Sequence, residues 1–288
     1  METADSEIAT VIPMDRQAAS EPVGPQTRVI AVTSGKGGVG KSSLVVNLGI
    51  TLRRLGKRVL IMDADLGLGN LDILLGLAPR YDLSHALRNE IAMADIILEG
   101  PEGIRLLPTA SGLQELANLA PEVHCRIISE LDALLDDVDV LLVDTSPGLS
   151  PSVLHFNRVA REVMVVTTTE PTAITDAYAL IKTMVLLHPP RPLHLLINTA
   201  ASLQEGLEVS GQLQRISHRL LGVSPGYLGC VLRDDQMRHA IQRQQAVVNL
   251  FPDSRAGRCY EALARRLLRT PAPVVDRGAS VWRHFRAE

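Results

Sequence analysis

The chain has 288 residues, of which 46% are hydrophobic and 21% are charged, and its formal net charge is −3. This balance is ordinary for a globular protein and gives no support to a general polyanion-binding function. Its three cysteines, Cys125, Cys230 and Cys259, are far apart in the sequence, which argues against a disulfide framework and against a cysteine-based metal site.

The first 27 residues differ in composition from the rest of the chain. They are polar and mixed in charge, they contain Pro13, Pro22 and Pro25, and they sustain no apolar period. Burial of such a segment does not offset the entropy that is lost when it becomes ordered. We therefore expect residues 1–27 to form a flexible amino-terminal tail.

Short apolar runs follow, and each is a continuous rather than an alternating run of Val, Ile and Leu. This pattern is typical of strands that are buried on both faces of a mainly parallel sheet. The predicted strands are Arg28–Thr33, Arg58–Asp63, Val138–Asp144, Glu162–Thr168, Leu193–Asn198 and Gly226–Leu232. The predicted helices are Lys41–Leu55, Pro121–Leu135, Thr172–Leu187, Leu203–Leu221 and Ser254–Leu268.

The alternation of strands and helices predicts right-handed βαβ crossovers. We expect an α/β fold over residues 28–270, with a doubly wound, mainly parallel sheet that is flanked by helices on both faces. Residues 271–288 contain Pro271, Pro273 and Gly278 and then a short apolar-basic stretch. They are predicted to be a linker followed by a short amphipathic segment.

The first predicted strand and the first predicted helix are joined by a glycine-rich loop. Its residues are Gly35, Lys36, Gly37, Gly38, Val39, Gly40, Lys41 and Ser42. Glycines let backbone N–H groups approach phosphate oxygens, and the helix that follows directs the positive end of its dipole at the same anion. The strand–loop–helix context therefore predicts a site for ATP with Mg²⁺. Lys41 is expected to contact the β- and γ-phosphates, Ser42 to ligate Mg²⁺ and Ser43 to lie near the α-phosphate.

Three carboxylates stand at the carboxyl ends of predicted strands, where ligands bind in open α/β sheets. Asp63 and Asp65 are two residues apart, so both side chains lie on one side of the chain. Asp144 follows the apolar run at 140–143, and at this position a carboxylate is expected to hold a magnesium-bound water. The alternative for each aspartate is a cap at a strand-to-helix turn.

The loop also resembles the deviant Walker A motif of the MinD/ParA group of P-loop NTPases, because it carries a second lysine, Lys36, before Lys41. The resemblance implies that Lys36 contacts the phosphates bound by the other subunit of an ATP-dependent homodimer. It also implies that Asp65 orients the attacking water and that Asp63 supports the magnesium shell. The catalytic residues are therefore expected to be Lys36, Lys41 and Asp65. Asp65 and Asp144 are expected to contact Mg²⁺ through water. On spacing alone, it is equally consistent that Lys36 is a solvated surface lysine without a role in the site.

Two further assignments follow from the same resemblance. The segment from Asp144 to Gly148 fits a switch in which the Gly148 N–H senses the γ-phosphate. Asn198, at the end of its predicted strand, matches the position of an adenine-reading asparagine. A local Asx turn is the alternative for Asn198.

Three stretches resemble the flagellar number regulator family (FleN/FlhG): residues 63–77, residues 170–182 and residues 238–252. This resemblance implies a cytoplasmic ATPase whose slow hydrolysis drives a monomer–dimer switch that limits flagellar number. The implied partners are a flagellar SRP-like GTPase, a flagellar master transcription activator and C-ring proteins. It also implies peripheral contact with the inner face of the cell membrane at the pole, which three apolar side chains near the end of the chain would support only weakly. These are Val281, Trp282 and Phe285.

Other members of the wider group remain open as alternatives. A ParA-type DNA-partitioning ATPase needs a basic surface, but the net charge of −3 does not favour direct DNA binding. A MinD-type division-site regulator is disfavoured by the long match at residues 170–182. A nitrogenase-type reductase is disfavoured because the segment from Asp144 to Gly148 has no cysteine to hold an iron–sulfur cluster.

Overall fold

The computed structural model describes residues 27–65, 69–108, 121–187 and 191–273. Within them the strands form one sheet in the order β3-β4-β2-β5-β1-β6-β7-β8. All neighbouring strands are parallel except β3 and β4, which are antiparallel. The strands are β1 (Arg28–Thr33), β2 (Val59–Ala64), β3 (Leu98–Glu99), β4 (Arg105–Pro108), β5 (Val140–Thr145), β6 (Glu162–Thr167), β7 (Leu193–Ala200) and β8 (Gly226–Leu232).

Helices follow the strands, as the alternating pattern predicts. The α-helices in the described ranges are α1 (Lys41–Arg54), α2 (Leu71–Leu75), α3 (Leu83–Leu87), α4 (Pro121–Leu135), α5 (Pro151–Val159), α6 (Pro171–Leu187), α7 (Leu203–Leu221), α8 (Asp235–Gln242), α9 (Val247–Leu250) and α10 (Arg255–Arg269). Short 3₁₀ turns lie at Met93–Ile96 and Pro101–Gly103.

The sheet is buried on both faces. In β1, Ile30 and Val32 pack in a core with residues of α1 and α10, whereas Val29 and Ala31 pack in a second core with residues of α3, α4 and α5. Two residues of β6, Val163 and Val165, pack with residues of α6 and α7. Because successive side chains of a strand point to opposite faces, a strand covered on both sides is apolar over most of its length. The doubly wound fold predicted from the continuous apolar runs is confirmed.

The structure also contains elements that apolar periodicity does not predict. The edge strand β3 and its neighbour β4 have two and four residues, which is too short for a recognisable run. The predicted start of β5 at Val138 is wrong by two residues. Asp139 forms a bend before the strand, although its N–H donates to the Arg58 carbonyl at 2.8 Å and its carbonyl accepts from the Arg28 N–H at 2.9 Å. Its side chain also accepts a hydrogen bond from the Arg58 backbone N–H at 2.7 Å.

A buried ionic network ties together the amino ends of β1, β6 and β7. Arg28 donates from Nε and Nη2 to the two carboxylate oxygens of Glu162 at 2.5 and 2.6 Å, and His194 Nε2 lies 2.8 Å from Glu162 Oε2. Arg28 Nη1 also donates to the carbonyls of Leu267 and Thr270, beyond the sheet. The network therefore fastens the end of α10 to the strand that leads into the glycine-rich loop.

We expect Glu162→Gln to lower the free energy of unfolding by about 2 kcal/mol at pH 7, because it weakens buried hydrogen bonds between charged groups. Burial opposes ionisation of Glu162, but the hydrogen bonds from His194 and Arg28 outweigh it and hold its pKa below the ordinary 4.5. Stability from this depressed pKa is complete above pH 4.5 and is lost as the pH falls through the folded value. The cost of the substitution should therefore shrink in acid, as measured by urea unfolding.

The matched control for that substitution is Glu261→Gln, at an exposed ion pair with Arg265. Exposed pairs contribute little, so we expect a change below about 0.5 kcal/mol at every pH. Equal effects of the two substitutions at pH 7 would contradict the assigned contribution of the buried network.

Some sequence predictions lie outside the described residues. These are the flexible tail, except for Thr27, and the amphipathic segment with Val281, Trp282 and Phe285. Across the described ranges, the helices include none with the length and apolar character needed to cross a bilayer.

Candidate functional site

The glycine-rich loop turns tightly between β1 and α1. Gly38 and Gly40 have φ angles of 78° and 83°, a left-handed conformation that favours glycine. A Cβ at Gly40 would lie 2.4 Å from Asn198 Nδ2, and one at Gly35 would lie 2.2 Å from the Asp176 carbonyl oxygen. The loop therefore needs glycine both for its backbone conformation and for close approach to β7 and α6.

Lys41, the first residue of α1, lies beneath this loop. Its Nζ is 2.6 Å from Asp144 Oδ1, and both side chains are buried, with exposed fractions of 6% and 1%. Burial raises the pKa of Asp144, and the charge of Lys41 and hydrogen bonds from Lys41 and Ser42 offset part of that rise. The site thus places a cation suited to phosphate beside a carboxylate suited to Mg²⁺.

The side chains near the loop suit the kind of Mg²⁺ site found with nucleotides, in which the protein supplies few of the metal ligands. Among the described residues no group of three or more His, Cys, Asp and Glu side chains is arranged to hold a metal ion. Mg²⁺ in nucleotide sites usually takes only one or two protein ligands and completes its shell with phosphate oxygens and waters. Ser42 and Asp144 interact with each other, so the predicted direct ligand, Ser42, lies beside the carboxylate that is predicted to hold a magnesium-bound water.

Asp63 lies beside Asp144, because β2 and β5 pair in register there. Its carboxylate accepts hydrogen bonds from the N–H groups of Asp65 at 3.2 Å and Leu71 at 3.4 Å. Burial and the neighbouring Asp144 charge raise the pKa of Asp63 to about 6. In this structure Asp63 caps the segment after β2, and a nearby cation would favour its charged form.

Asp65 is tied to the segment that follows β5. Ser146 Oγ donates to Asp65 Oδ1 at 2.7 Å. The segments after β2 and β5 are therefore connected at the carboxylate expected to orient water. Ser146 lies in the segment from Asp144 to Gly148 that the sequence assigns to a switch, but its contact with Asp65 is not predicted from the sequence.

Gly148, in the segment after β5, contacts the start of the glycine-rich loop. It has a φ angle of 94°, and its N–H donates to the Ser34 carbonyl at 2.8 Å. Pro147 also lies close to the loop, 3.7 Å from a Cβ built at Gly37. Contact between the Gly148 N–H and a γ-phosphate remains a prediction, and it requires exchange of the Ser34 hydrogen bond.

Lys36 extends from the loop towards the start of α6 in the same chain. Its Nζ lies 2.9 Å from Glu170 Oε2 and 3.0 Å from Thr172 Oγ1. The pair is exposed, with 39% of the lysine side chain and 66% of the glutamate side chain accessible. The two partners belong to the stretch at residues 170–182, which the sequence singled out for a different reason.

Asn198 supports the loop from β7. Its buried side chain donates from Nδ2 to the Val39 carbonyl at 2.7 Å and accepts from the Thr199 N–H at 3.0 Å. Within α1, the Ser43 carbonyl accepts from Asn47 Nδ2 at 2.7 Å. The Asn198 contact holds the loop backbone at Val39, and the adenine-reading role of Asn198 remains a prediction.

Comparisons with known proteins agree with this geometry. Residues 27–192 match the protein family described as AAA domain. The chain is 43% identical to the antiactivator FleN of Pseudomonas aeruginosa over 87% of this chain and 90% of that protein. It is 30% identical to the flagellum site-determining protein YlxH of Helicobacter pylori over 84% of this chain and 82% of that protein.

A solved structure supports the fold. The septum site-determining protein MinD of Pyrococcus horikoshii, complexed with Mg-ADP, matches with a TM-score of 0.66 and 22% identity, covering 84% of this chain and 96% of that one. Together with the loop, Lys41 and Asp144, the comparisons identify an ATP-hydrolysing P-loop enzyme with ATP and Mg²⁺ as cofactors. The chain belongs to the MinD/ParA-type P-loop ATPases, in the flagellar number regulator family that includes FleN.

Proposed function

We propose that this chain is an ATP-driven dimerisation switch that regulates flagellar number and placement. The observation that carries the proposal is the 43% identity to FleN, which spans nearly all of both chains. The name of that relative, an antiactivator, fits a regulator whose ATPase cycle controls contact with other proteins. The proposed switch domain comprises residues 28–270.

The position of Lys36 supports dimerisation. The Lys36–Glu170 ion pair is exposed on both sides, and such pairs contribute at most about 1 kcal/mol. A phosphate bound by a second subunit would therefore compete effectively for the ammonium group. In this mechanism Lys36 leaves Glu170 and Thr172 and contacts the phosphates in trans, so that ATP becomes part of the interface.

Hydrolysis is proposed to depend on residues that already converge on the loop. Lys41 holds the β- and γ-phosphates, the loop N–H groups of Gly35 to Ser43 surround the phosphates, and Ser42 binds Mg²⁺ directly. Mg²⁺, when bound, neutralises charge that develops on the phosphates. Asp144 and Asp65 hold water of the magnesium shell, and Asp65 also orients the attacking water.

The switch segments are proposed to respond to the γ-phosphate. The Gly148 N–H exchanges the Ser34 carbonyl for a phosphate oxygen, and the Ser146 hydrogen bond carries this movement to Asp65. Asp63 supports the segment that bears Asp65, and Asn198 reads the adenine. Turnover is expected to be slow and Mg²⁺-dependent, as suits a regulatory enzyme.

The proposed partners follow from the family. They are a flagellar SRP-like GTPase, a flagellar master transcription activator and C-ring proteins. We propose a cytoplasmic location, with weak peripheral contact at the polar membrane through residues 271–288. Direct DNA binding is not part of the proposal.

The similarity to MinD favours division-site regulation as a second candidate. The two candidates differ in the phenotype of a cell that lacks the protein. Loss of a flagellar regulator changes the number of flagella per cell, whereas loss of a division-site regulator produces minicells. Minicells with an unchanged flagellar number would favour the second candidate.

The switch is tested by the mass in solution, measured by light scattering in Mg-ADP and in Mg-ATP. We expect Asp65→Ala to form a lasting dimer only with ATP, because it binds ATP without hydrolysing it efficiently. Wild-type protein is expected to return to the monomer as ATP is consumed. If neither protein changes mass with ATP, the trans role of Lys36 and the switch are both wrong.

A further inference from the structure

A second cavity lies at the end of the sheet opposite to the glycine-rich loop. It is lined by the first residues of β7 and β8, by the end of α6 and by the last turn of α10. The loop follows the carboxyl end of β1, whereas this cavity is at the amino ends of parallel neighbours. We call it the basal cavity. It is separate from the nucleotide site and takes no part in the proposed ATPase cycle.

The size of the basal cavity suits a small organic molecule. Its volume is about 540 Å³, within the range of about 300–1,000 Å³ that is usual for small-molecule sites. Much of the wall is apolar and comes from side chains of four different segments. These are Met184, Val185, Leu193, Val223, Pro225 and Leu228.

Among the polar side chains of the lining, those that carry a full charge are arginines. Arg191, His194 and Arg266 line the cavity, and none of the described lining residues carries a carboxylate side chain. Among the described residues, no carboxylate forms an ion pair with Arg191 or Arg266. A ligand that presents an anion here would therefore meet the positive charge of Arg191 and Arg266.

Arg191 is held in place by hydrogen bonds from one of its nitrogen atoms, but another of its N–H donors is unused. Its Nη1 donates to the carbonyls of Asn157, Arg158 and Ala160 at the end of α5. Its Nε is buried and has no hydrogen-bond partner among the described residues. Burial lowers the pKa of this guanidinium, and the charge of Arg158 lowers it further. A buried cation with an unused donor is costly, and a nearby anion would offset the cost of the buried charge.

The other basic groups are also pre-positioned. The Arg266 guanidinium carbon lies 5.5 Å from the centroid of the Tyr227 ring, in a cation–π contact. His194 is fixed by Glu162, which Arg28 holds in turn. The network that stabilises the amino ends of the strands therefore also forms a rigid floor for the cavity, and little ordering is needed for binding.

We propose that the basal cavity binds a small organic anion, with its carboxylate or phosphate on Arg191 and Arg266 and its apolar body on the wall formed by α6, β7 and β8. The shared chemistry is one anionic head and an apolar body of about eight carbons. Neither a bare anion nor a neutral apolar molecule of the same length uses both halves of the site.

Isothermal titration calorimetry on the full chain tests the proposal, with saturating Mg-ADP present so that the phosphate loop is occupied. The probes are octanoate, octyl phosphate, 1-octanol and inorganic phosphate. We expect octanoate or octyl phosphate to bind with a Kd of about 1 mM or tighter, and octanol and inorganic phosphate to bind at least about tenfold more weakly. Preference between the two anions identifies the head group as carboxylate or phosphate.

Two variants locate the binding. Arg266→Met should weaken binding of the preferred anion by about tenfold, whereas Arg269→Met, on the same last turn of α10 but outside the lining, should leave it unchanged. Val185→Phe should reduce binding by filling the apolar half, and it supplies an independent test if Arg266→Met unfolds. Absence of binding to wild-type protein, equal binding of octanol, or equal effects of the two arginine substitutions would overturn the proposal.

Discussion

Replacing Lys41 with Met is expected to lower the affinity for Mg-ATP by about 1000-fold, which corresponds to about 4 kcal/mol. The ammonium group is expected to make charge-assisted contacts with two phosphates, each worth about 1.5–3 kcal/mol. Methionine keeps the apolar stem but leaves Asp144, which is 1% exposed, without its 2.6 Å partner. The free carboxylate would also repel the phosphates. Affinity is measured by calorimetry with a non-hydrolysed ATP analogue.

Lys36→Met is the matched control, since it removes an ammonium group from the same loop. Lys36 is exposed and contacts Glu170 and Thr172 rather than the buried part of the site. We expect the monomer to keep its ATP affinity within about threefold, while ATP-dependent dimerisation is lost. Comparable loss of affinity in both variants would contradict the division of roles between the two lysines. Thermal unfolding of each variant checks that it is folded.

The second large effect is expected from Asp65→Ala, which should lower the turnover number by at least about 100-fold, or roughly 3 kcal/mol. Phosphoryl transfer needs an aimed water more than it needs covalent assistance, so loss of the orienting carboxylate acts on the chemical step. Binding of ATP should be kept, because Lys41, Asp144 and the loop remain. Steady-state phosphate release at saturating ATP measures the change.

Ser146→Ala is expected to lower turnover less than Asp65→Ala does, and it serves as the comparison. It removes the 2.7 Å hydrogen bond to Asp65 but leaves the carboxylate in place. One such bond contributes about 0.5–1.5 kcal/mol, so turnover should fall between about twofold and tenfold. Turnover of Asp65→Ala within fivefold of wild type would remove Asp65 from the mechanism.

The local sequence determined the layers of the fold and the chemistry of the main site. A strand covered on both faces is apolar over most of its length, and the runs at β1, β2, β5 and β6 can therefore be recognised in the sequence without reference to their neighbours. The glycine-rich loop is likewise a local motif, because its turn, its lysine and the helix that follows are contiguous. Short elements such as β3 and β4 lack enough residues to establish a period.

Only the tertiary structure decided which side chains hold the site residues in place. Ser146 meets Asp65 across 81 residues, Lys36 meets Glu170 across 134, and Asn198 meets Val39 across 159. The first two pairs join segments that follow different strands, the third joins β7 to the loop after β1, and sheet order rather than chain order brings them together. The basal cavity has the same origin, since Arg191, Arg266 and Tyr227 belong to separate elements. A sequence records which groups are available, but contacts between distant segments depend on the packing of the whole sheet.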